Sequence, residues 1–291
     1  MTTFTEANLP LVIQLLADAT SVGKSFTASR IRYLLDQAGI PSVLVRIETR
    51  GVQAALREGD VAIAVEDFVQ ASQRPGGIAG VLQPLSTTIL AAERTRRVVI
   101  VDWAGGLARH HMVYLASTGL DTVLAEHGIT ALSFAVTTNR TEQMRQAGDI
   151  LRQIGAIAPR MQRGLILNER FGPFAFLEGS QPAQVHRDLL QAARGCALIT
   201  VPAVVGDSWK TAEDARMTMP QVIGSTPEQF AAKTGLDPLT ARACITEVAA
   251  FWELSQKALS RVLRFRAAAR AQDQREARRA ARGAAGAAAQ A

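Results

Sequence analysis

The residues with the clearest capacity for chemistry lie near the start of the chain, where Gly23, Lys24 and Ser25 follow a short apolar run and precede a helical pattern. A turn that joins a strand to a helix directs backbone N–H groups and the helix N-terminus to one place, and both favour an anion there. The Lys24 ammonium can reach phosphate oxygens, and the Ser25 hydroxyl can ligate Mg²⁺. The spacing therefore predicts a loop that binds nucleotide phosphates through Thr20, Ser21, Val22, Gly23, Lys24, Ser25 and Phe26.

One position of this loop departs from the usual pattern, which begins with glycine and here begins with Asp18. A carboxylate beside phosphates is expected to weaken their binding unless it points away from them. The alternative interpretation is an ordinary turn between strand and helix that contains Gly-Lys-Ser and binds no anion.

The elements that must position this loop alternate between strands and helices along the first 206 residues. Apolar runs and helical spacing predict a strand over 11–17, a helix over 24–37 that ends near Gly39, and a strand over 42–47. The alternation of strands with helices predicts the α/β class, with a mostly parallel sheet flanked by helices and a helical C-terminal extension. Residues 60–65 fit either a strand or a helix, and the other predicted elements are strands at 97–102, 131–136, 164–167 and 197–201 and a helix at 141–154.

The pattern changes after residue 206, and no strong strand signal follows. A short helix is predicted over 227–233, with Thr226 as its N-cap, and a long helix over 239–265. The tail is rich in alanine and arginine and is expected to be a frayed helix or disordered. The predicted domains are a core at 1–206, a helical C-terminal part at 207–266 that packs on the core, and the tail at 267–291.

The net charge of +6 belongs to the end of the chain, where eight arginines between residues 260 and 291 outnumber the acidic Asp273 and Glu276. Such arginines can neutralise DNA phosphates without reading sequence, so non-specific DNA is an expected partner of the tail. Two alternatives stay open. The tail could only aid solubility, or a basic amphipathic helix around 251–265 could lie on an anionic membrane; the second is less favoured because its apolar residues can pack on the core.

Targeting signals and metal-binding patterns are absent from the sequence. The first ten residues lack the basic-then-apolar order of an export signal, and no apolar stretch reaches the ~20 residues that a membrane span needs. Cys196 and Cys244 share no metal-ligand spacing with the four histidines. A cytoplasmic location and two buried thiols are expected. His110 and His111 are expected to form an exposed pair on a helix. Trp209 and Trp252 are expected to be packing residues.

A series of motifs over residues 9–206 resembles those of the ParA/MinD family of P-loop ATPases. The resemblance implies a P-loop NTPase fold that binds ATP and Mg²⁺. In chain order the motifs are the loop that ends at Ser25, Glu48-Thr49-Arg50-Gly51, Val98 to Gly106 with Asp102 at the strand end, Thr137-Thr138-Asn139, Leu165-Ile166-Leu167-Asn168 and Thr200-Val201-Pro202.

The resemblance also implies roles for individual residues around the phosphates. Lys24, Glu48 and Asp102 are the implied catalytic residues, with Glu48 in place of the carboxylate that orients the attacking water and Asp102 as the alternative for that role. Asp102 would hold the water shell of a Mg²⁺ ion that Ser25 ligates. Gly105 would bring a backbone N–H to the γ-phosphate.

The remaining implied contacts concern the base. Asn168 would hydrogen-bond adenine, and Pro202 would pack against it. The chain contains no Asn-Lys-x-Asp guanine motif, which favours ATP over GTP.

One departure from the family bears on its homodimer. Typical members carry a second loop lysine that reaches the partner's phosphates, and Ala19 stands at that position. Either an arginine takes over, or the nucleotide-dependent homodimer is weaker, or hydrolysis is slow. In lacking this lysine, the chain resembles plasmid stability and conjugation ATPases of the StbB-like and TraL-like kinds. The candidate arginines are Arg46, Arg50 and Arg140.

The function implied is that of a slow ATP-hydrolysing switch, acting in plasmid or DNA partition, stability or conjugative transfer with a DNA-bound adaptor protein. Glu48 reaches further than an aspartate, and a misplacement of ~1 Å can cost on the order of 100-fold in rate. The alternatives are a membrane-associated positioning ATPase of the MinD type, a metabolic P-loop kinase or amidoligase, and a non-hydrolysing nucleotide-binding scaffold.

Overall fold

A computed structural model describes residues 4–5, 9–49, 56–73, 75–204 and 206–264. The described strands are β1 (Phe4–Thr5), β2 (Val12–Leu16), β3 (Ser42–Glu48), β4 (Val61–Ala64), β5 (Val98–Trp103), β6 (Ala131–Thr137), β7 (Gln162–Asn168), β8 (Ala197–Val201) and β9 (Leu263–Arg264). The described helices of the first two thirds are α1 (Lys24–Ala38), α2 (Glu66–Val69), α3 (Ile78–Val81), α4 (Gln83–Leu90), α5 (Ala92–Thr95), α6 (Ala108–Thr118), α7 (Leu120–Glu126), α8 (Thr141–Ile157) and α9 (Gln181–Ala192). They are followed by α10 (Ser208–Asp214), α11 (Met219–Ile223), α12 (Pro227–Thr234) and α13 (Pro238–Val262).

Within the described residues, β2 to β8 form a seven-stranded sheet in the order β4-β3-β5-β2-β6-β7-β8, and every pairing is parallel. The chain enters at the central β2, builds β3, β4 and β5 on one side and then crosses to β6 on the other. Ligands of open α/β sheets bind at the carboxyl ends of strands where the strand order reverses in this way. The loop after β2 lies at that point.

The sheet is covered on both faces because successive side chains of a strand point to opposite sides. On β2, Val12 and Leu16 belong to one apolar cluster, and Ile13 and Leu15 belong to the other. The first cluster includes side chains of α4, α6, α7, α8 and α9, and the second includes side chains of α1, α11, α12 and α13. The predicted α/β class, with a helical C-terminal extension, is confirmed.

The element predictions were accurate where local pattern sufficed. Helix α1 ends as expected at Gly39, which has a φ of 70° and lies in the left-handed region that glycine tolerates. The ambiguous segment 60–65 contains the edge strand β4. Thr226 caps α12 by accepting a hydrogen bond from the Gln229 N–H at 3.3 Å.

The end of the long C-terminal helix differs from the prediction. Helix α13 ends at Val262, and the next two residues form β9, which pairs in parallel with β1 through Phe4 and Leu263. No strong strand signal follows residue 206 in the sequence, and the two-residue β9 was not predicted because its pairing joins residues from the two ends of the chain. The domain boundary at 206 stays a prediction, and the tail at 267–291 lies outside the described residues.

Helix α13 uses its apolar side to pack against the rest of the protein. Phe251, Leu259 and Val262 are buried in the cluster that also contains residues of α1 and of the sheet. These are side chains that a membrane-binding helix would need to expose. Among the described residues, no helix is both long and apolar enough to cross a bilayer. Of the two thiols expected to be buried, Cys196 is buried and Cys244 is half-buried.

Candidate functional site

The turn between β2 and α1 has the backbone shape of an anion-binding loop. Ser21 has a φ of 57° and Gly23 a φ of 95°, so both lie in the left-handed region. No described side chain caps the first turn of α1, which also contains no acidic residue. The N–H groups at the start of this helix are therefore available to an anion.

Lys24 lies folded across this turn. Its ammonium donates a hydrogen bond to the Ala19 carbonyl at 3.0 Å, and only 6% of the residue is exposed. Burial lowers the pKa of Lys24, and attraction to Asp102 and Asp18 opposes that shift. The described residues that line the cleft beside the loop do not include Asp18, which lines a small space between the loop and α8 instead. The extra carboxylate therefore points away from the cleft.

Ser25 and Asp102 meet at the carboxyl edge of the sheet. Asp102 lies opposite Leu15 in the register of β2 and β5, and the Ser25 hydroxyl donates a hydrogen bond to its carboxylate. Burial raises the pKa of Asp102, while the bond from Ser25 and the nearby Arg46 and Lys24 lower it.

The donor set of this corner fits a magnesium ion. Asp102 is 2% exposed, and its Oδ2 has no hydrogen-bond partner among the described residues. A buried, unpartnered carboxylate oxygen beside a hydroxyl matches the oxygen ligands that Mg²⁺ takes. Within the described ranges, no group of three or more His, Cys, Asp or Glu side chains could hold a metal by itself. Any Mg²⁺ here would therefore need phosphate and water oxygens as well, as is usual for this ion.

Glu48 ends β3 and faces the same cleft. Burial raises the pKa of Glu48, the charge of Arg46 lowers it, and the charge of Asp102 raises it further. The Arg46 Nε lies 3.6 Å from Glu48 Oε1 and 3.6 Å from Asp102 Oδ2. The two carboxylates of the site thus share one guanidinium.

Gly105 brings the turn after β5 against the phosphate loop. A Cβ at this position would lie 2.7 Å from Thr20 Cγ2 and 3.0 Å from the Thr20 N. Only glycine permits so close an approach of the two backbones. The structure thus places Gly105 beside the phosphate loop. The contact of its N–H with a phosphate stays a prediction.

These side chains surround a cleft of about 340 Å³. Val22 is the loop residue whose side chain does not reach the cleft, since it is 1% exposed and belongs to the core. The predicted residues that line the cleft are Thr20, Ser21, Gly23, Lys24, Ser25, Phe26, Glu48, Asp102 and Gly105.

A second cavity of about 330 Å³ adjoins the cleft and shares Gly23 and Phe26 with it. Each volume is in the range of small-molecule sites. The predicted base-binding residues Asn168 and Pro202 both line this second cavity. With Phe26, the cavity wall carries four aromatic residues of the described chain, the other three being Phe171, Trp209 and Phe251.

The Asn168 side chain is already engaged with the loop. Its Nδ2 donates to the Val22 carbonyl at 2.8 Å, and its Oδ1 accepts from the Arg170 N–H at 3.2 Å. A Cβ on Gly23 would overlap Asn168 Nδ2. Asn168 therefore fixes the end of β7 to the phosphate loop, and the predicted contact with adenine stays a prediction.

Sequence reasoning missed the contribution of the C-terminal part to the second cavity. Trp209 and Trp252 both pack against the apolar core as expected, and the Arg30 guanidinium lies 3.2 Å from the Trp252 ring centre. Trp209 also lines the cavity, which was not expected. Arg170 and Glu213 line both cavities and carry no motif that could have identified them. Their position depends on how α10 and the turn after β7 pack.

The arginines proposed to replace the missing lysine have different positions. Arg46 lies between Glu48 and Asp102. The Arg140 guanidinium lies 4.1 Å from the ring centre of Phe171, a residue that lines the second cavity, but Arg140 itself is not among the described residues that line it. Arg50 lies outside the described residues.

The histidine pair of α6 is not exposed as expected. His111 is fully buried, with its ring 4.9 Å from that of Trp103, and His110 is half-buried against Phe68. The prediction is wrong because His111 shares the inward face of α6 with Met112 and Leu115. Burial lowers the pKa of His111 to about 3.

Comparisons with known proteins give a distant structural likeness. No family model matches the sequence, and no curated protein matches it. The structure is similar to apo McdA from Cyanothece, with a TM-score of 0.45 and 12% identity over 85% of this chain and 98% of that one. It is also similar to an ATP complex of a McdA variant from Cyanothece (TM-score 0.37, 10% identity, 84% and 95% covered) and to the MinD cell division protein of Aquifex aeolicus (TM-score 0.39, 10% identity, 83% and 96% covered).

Proposed function

We propose that the chain binds ATP with Mg²⁺ and hydrolyses it slowly, as a switch of the ParA/MinD type. One observation carries the proposal: Lys24, Ser25, Glu48 and Asp102 converge on one cleft at the switch point of a parallel sheet. The open N-terminus of α1 and the Lys24 ammonium suit phosphates, and the adjoining cavity offers room for a nucleoside.

The residues of the cleft divide the chemistry of phosphoryl transfer between them. Lys24 and the loop N–H groups stabilise the charge that develops on the phosphoryl oxygens. Glu48 orients the attacking water. When bound through Ser25 and the waters held by Asp102, Mg²⁺ would supply further neutralisation of phosphate charge. Slow turnover is expected because Glu48 is longer than an aspartate and is held by Arg46.

The output of such a switch would begin at the turn after β5. Because Gly105 packs on Thr20, a γ-phosphate that displaces the loop also displaces this turn and the start of α6. We further propose that the switch controls non-specific DNA binding by the basic tail, and acts with a DNA-bound adaptor and a nucleotide-dependent homodimer in DNA partition, stability or transfer. The charge of the tail supports the DNA proposal.

The test is ATP binding and phosphate release by the purified chain with Mg²⁺, with and without duplex DNA. Lys24→Ala removes the buried loop cation, and the exposed Lys233→Ala is its matched control. We expect binding to be lost in Lys24→Ala and kept in Lys233→Ala, with slow turnover that DNA raises.

Other outcomes have distinct meanings. Magnesium-dependent ATP binding without turnover under any condition would favour the non-hydrolysing scaffold. Rapid turnover with a small metabolite as phosphate acceptor would favour a metabolic kinase. No ATP binding at all would contradict the proposal.

A further inference from the structure

Arg46 occupies an unusual place for a basic residue, at the centre of the candidate site. It lies opposite Asp102 in the register of β3 and β5, so the two side chains leave the sheet next to each other. Glu48 follows two residues later on β3 and therefore projects from the same face. The sheet itself thus places one cation between two carboxylates.

The contacts of the Arg46 Nε atom with the two carboxylates are electrostatic rather than hydrogen-bonded. This Nε lies 3.6 Å from an oxygen of each carboxylate, and the side chain is 11% exposed. Neither this Nε nor Asp102 Oδ2 has a hydrogen-bond partner among the described residues. Asp102 Oδ2, the oxygen best placed to hold the water shell of a metal, is therefore also the oxygen that faces the guanidinium.

A fixed cation at this point must affect a divalent ion. With little water to screen them, charges a few ångström apart interact strongly, so the guanidinium repels a metal that approaches Asp102. The guanidinium also neutralises part of the carboxylate charge that would attract the metal. Arriving phosphates would reverse this balance by adding negative charge.

We propose that Arg46 is a built-in cation that takes the place of the divalent metal beside Asp102 and Glu48 until nucleotide arrives. The free protein then binds divalent ions weakly, and metal and nucleotide bind together. The second half of this proposal rests on the proposed function, whereas the first half concerns the chain alone. Arg46 is a positioning residue in this scheme.

The first experiment measures Mn²⁺ binding to the nucleotide-free protein, by the electron paramagnetic resonance signal of free Mn²⁺. Arg46→Met removes the charge, Arg46→Lys keeps it, and Arg152→Met is the matched control at an exposed ion pair with Asp149. We expect Arg46→Met to bind Mn²⁺ at least tenfold more tightly than wild type, and the other two variants to bind like wild type. An Arg46→Met protein with unchanged Mn²⁺ affinity would overturn the proposal.

A purely structural role for Arg46 gives a different result, because loss of a structural contact lowers stability without creating a metal site. If Arg46→Met does not fold, Arg46→Gln takes its place, since its amide is neutral but can donate hydrogen bonds to a carboxylate. The double variant Arg46→Met with Glu48→Gln removes one of the freed carboxylates. We expect its Mn²⁺ affinity to return towards wild type, and an affinity as high as that of Arg46→Met would contradict the assignment of Glu48.

The second experiment measures binding of a fluorescent ATP analogue in EDTA and in excess Mg²⁺. We expect Arg46→Met to weaken binding at least tenfold in EDTA and less in Mg²⁺, because the metal then supplies the missing charge. Equal losses in both conditions would contradict the coupling. If wild type binds no ATP analogue, the proposed function fails, while the Mn²⁺ measurement still decides the role of Arg46.

Discussion

Asn168 and Val22, 146 positions apart in the chain, are joined by a hydrogen bond of 2.8 Å from the Asn168 side-chain amide to the Val22 carbonyl. The bond is buried and fixes the last residue of β7 to the middle of the phosphate loop. The shape of the loop therefore depends on the neighbouring half of the sheet as well as on the local turn.

Asn168→Ala should loosen this attachment. It leaves the Val22 carbonyl without its partner, which costs about 1–3 kcal/mol for a buried group. We expect lower stability in urea unfolding and weaker binding of an ATP analogue. Asn139→Ala is the control, because the Asn139 amide makes more exposed bonds to the carbonyls of Phe171 and Pro173. A larger loss of stability in Asn139→Ala would contradict the prediction.

Gly23→Ala should abolish nucleotide binding. Its φ of 95° strains any other residue, and the added methyl group would overlap the Asn168 amide. Strain of this kind costs about 1–3 kcal/mol. Gly128→Ala is the control, because Gly128 has a φ of 66° and open space around the added carbon. Its loss of stability therefore measures backbone strain without a clash. We expect Gly23→Ala to destabilise more than Gly128→Ala, and Asn168→Ala added to Gly23→Ala to recover part of the difference.

His111 should make the protein less stable in mild acid. Burial lowers the pKa of His111 to about 3, against an ordinary 6.5. Below the ordinary value the unfolded chain binds a proton that the folded chain does not, so stability falls as pH falls from about 6.5 towards 3. We expect a loss of about 2 kcal/mol between about pH 7.5 and pH 5, measured by urea unfolding.

The matched variants for this effect are His111→Leu, which should remove most of the loss, and the exposed His127→Leu, which should not. Burial also lowers the pKa of His186, so a smaller loss should remain. Burial raises the pKa values of Glu48 and Asp102, and these two groups therefore make the protein more stable as pH falls. This opposite contribution is the same in wild type and in His111→Leu. Equal pH dependence in wild type and His111→Leu would refute the assignment.

Arg30 should be replaceable by an apolar side chain of similar length. Its guanidinium stacks on Trp252 and donates to the Trp252 carbonyl at 2.9 Å, but Nε and Nη1 have no partner among the described residues. Burial lowers the pKa of Arg30 to about 10, so the charge is poorly solvated. We expect Arg30→Met to unfold within about 1 kcal/mol of wild type, since a buried charge can be exchanged for apolar packing at little cost. Arg30→Ala should lose about 2–4 kcal/mol through the cavity between α1 and α13.

Local sequence pattern was enough to predict the sheet and the loop. The apolar run of β2, the Gly-Lys-Ser turn and Gly39 at the end of α1 each act within a few residues. Strand-ending Asp102 and Glu48 could be assigned to the same edge, because the carboxyl ends of parallel strands meet there.

Features that depend on distant partners could not be predicted. His111 looked exposed because its burial depends on Trp103 of the neighbouring strand. The end of α13 depends on β1, and the lining of the second cavity depends on how α10 packs. Arg46 was predicted only as one of three arginines that could replace the missing loop lysine, since its position between two carboxylates follows from the pairing of β3 with β5.

Helix α13 also acts as a rigid spacer of fixed length. Phe251 lines the second cavity, and the helix continues from there to Val262, which corresponds to roughly 17 Å at 1.5 Å per residue. The pairing of Leu263 with Phe4 anchors the far end of this spacer. The point at which the described chain ends, Arg264, is therefore held at a set distance from the cavity.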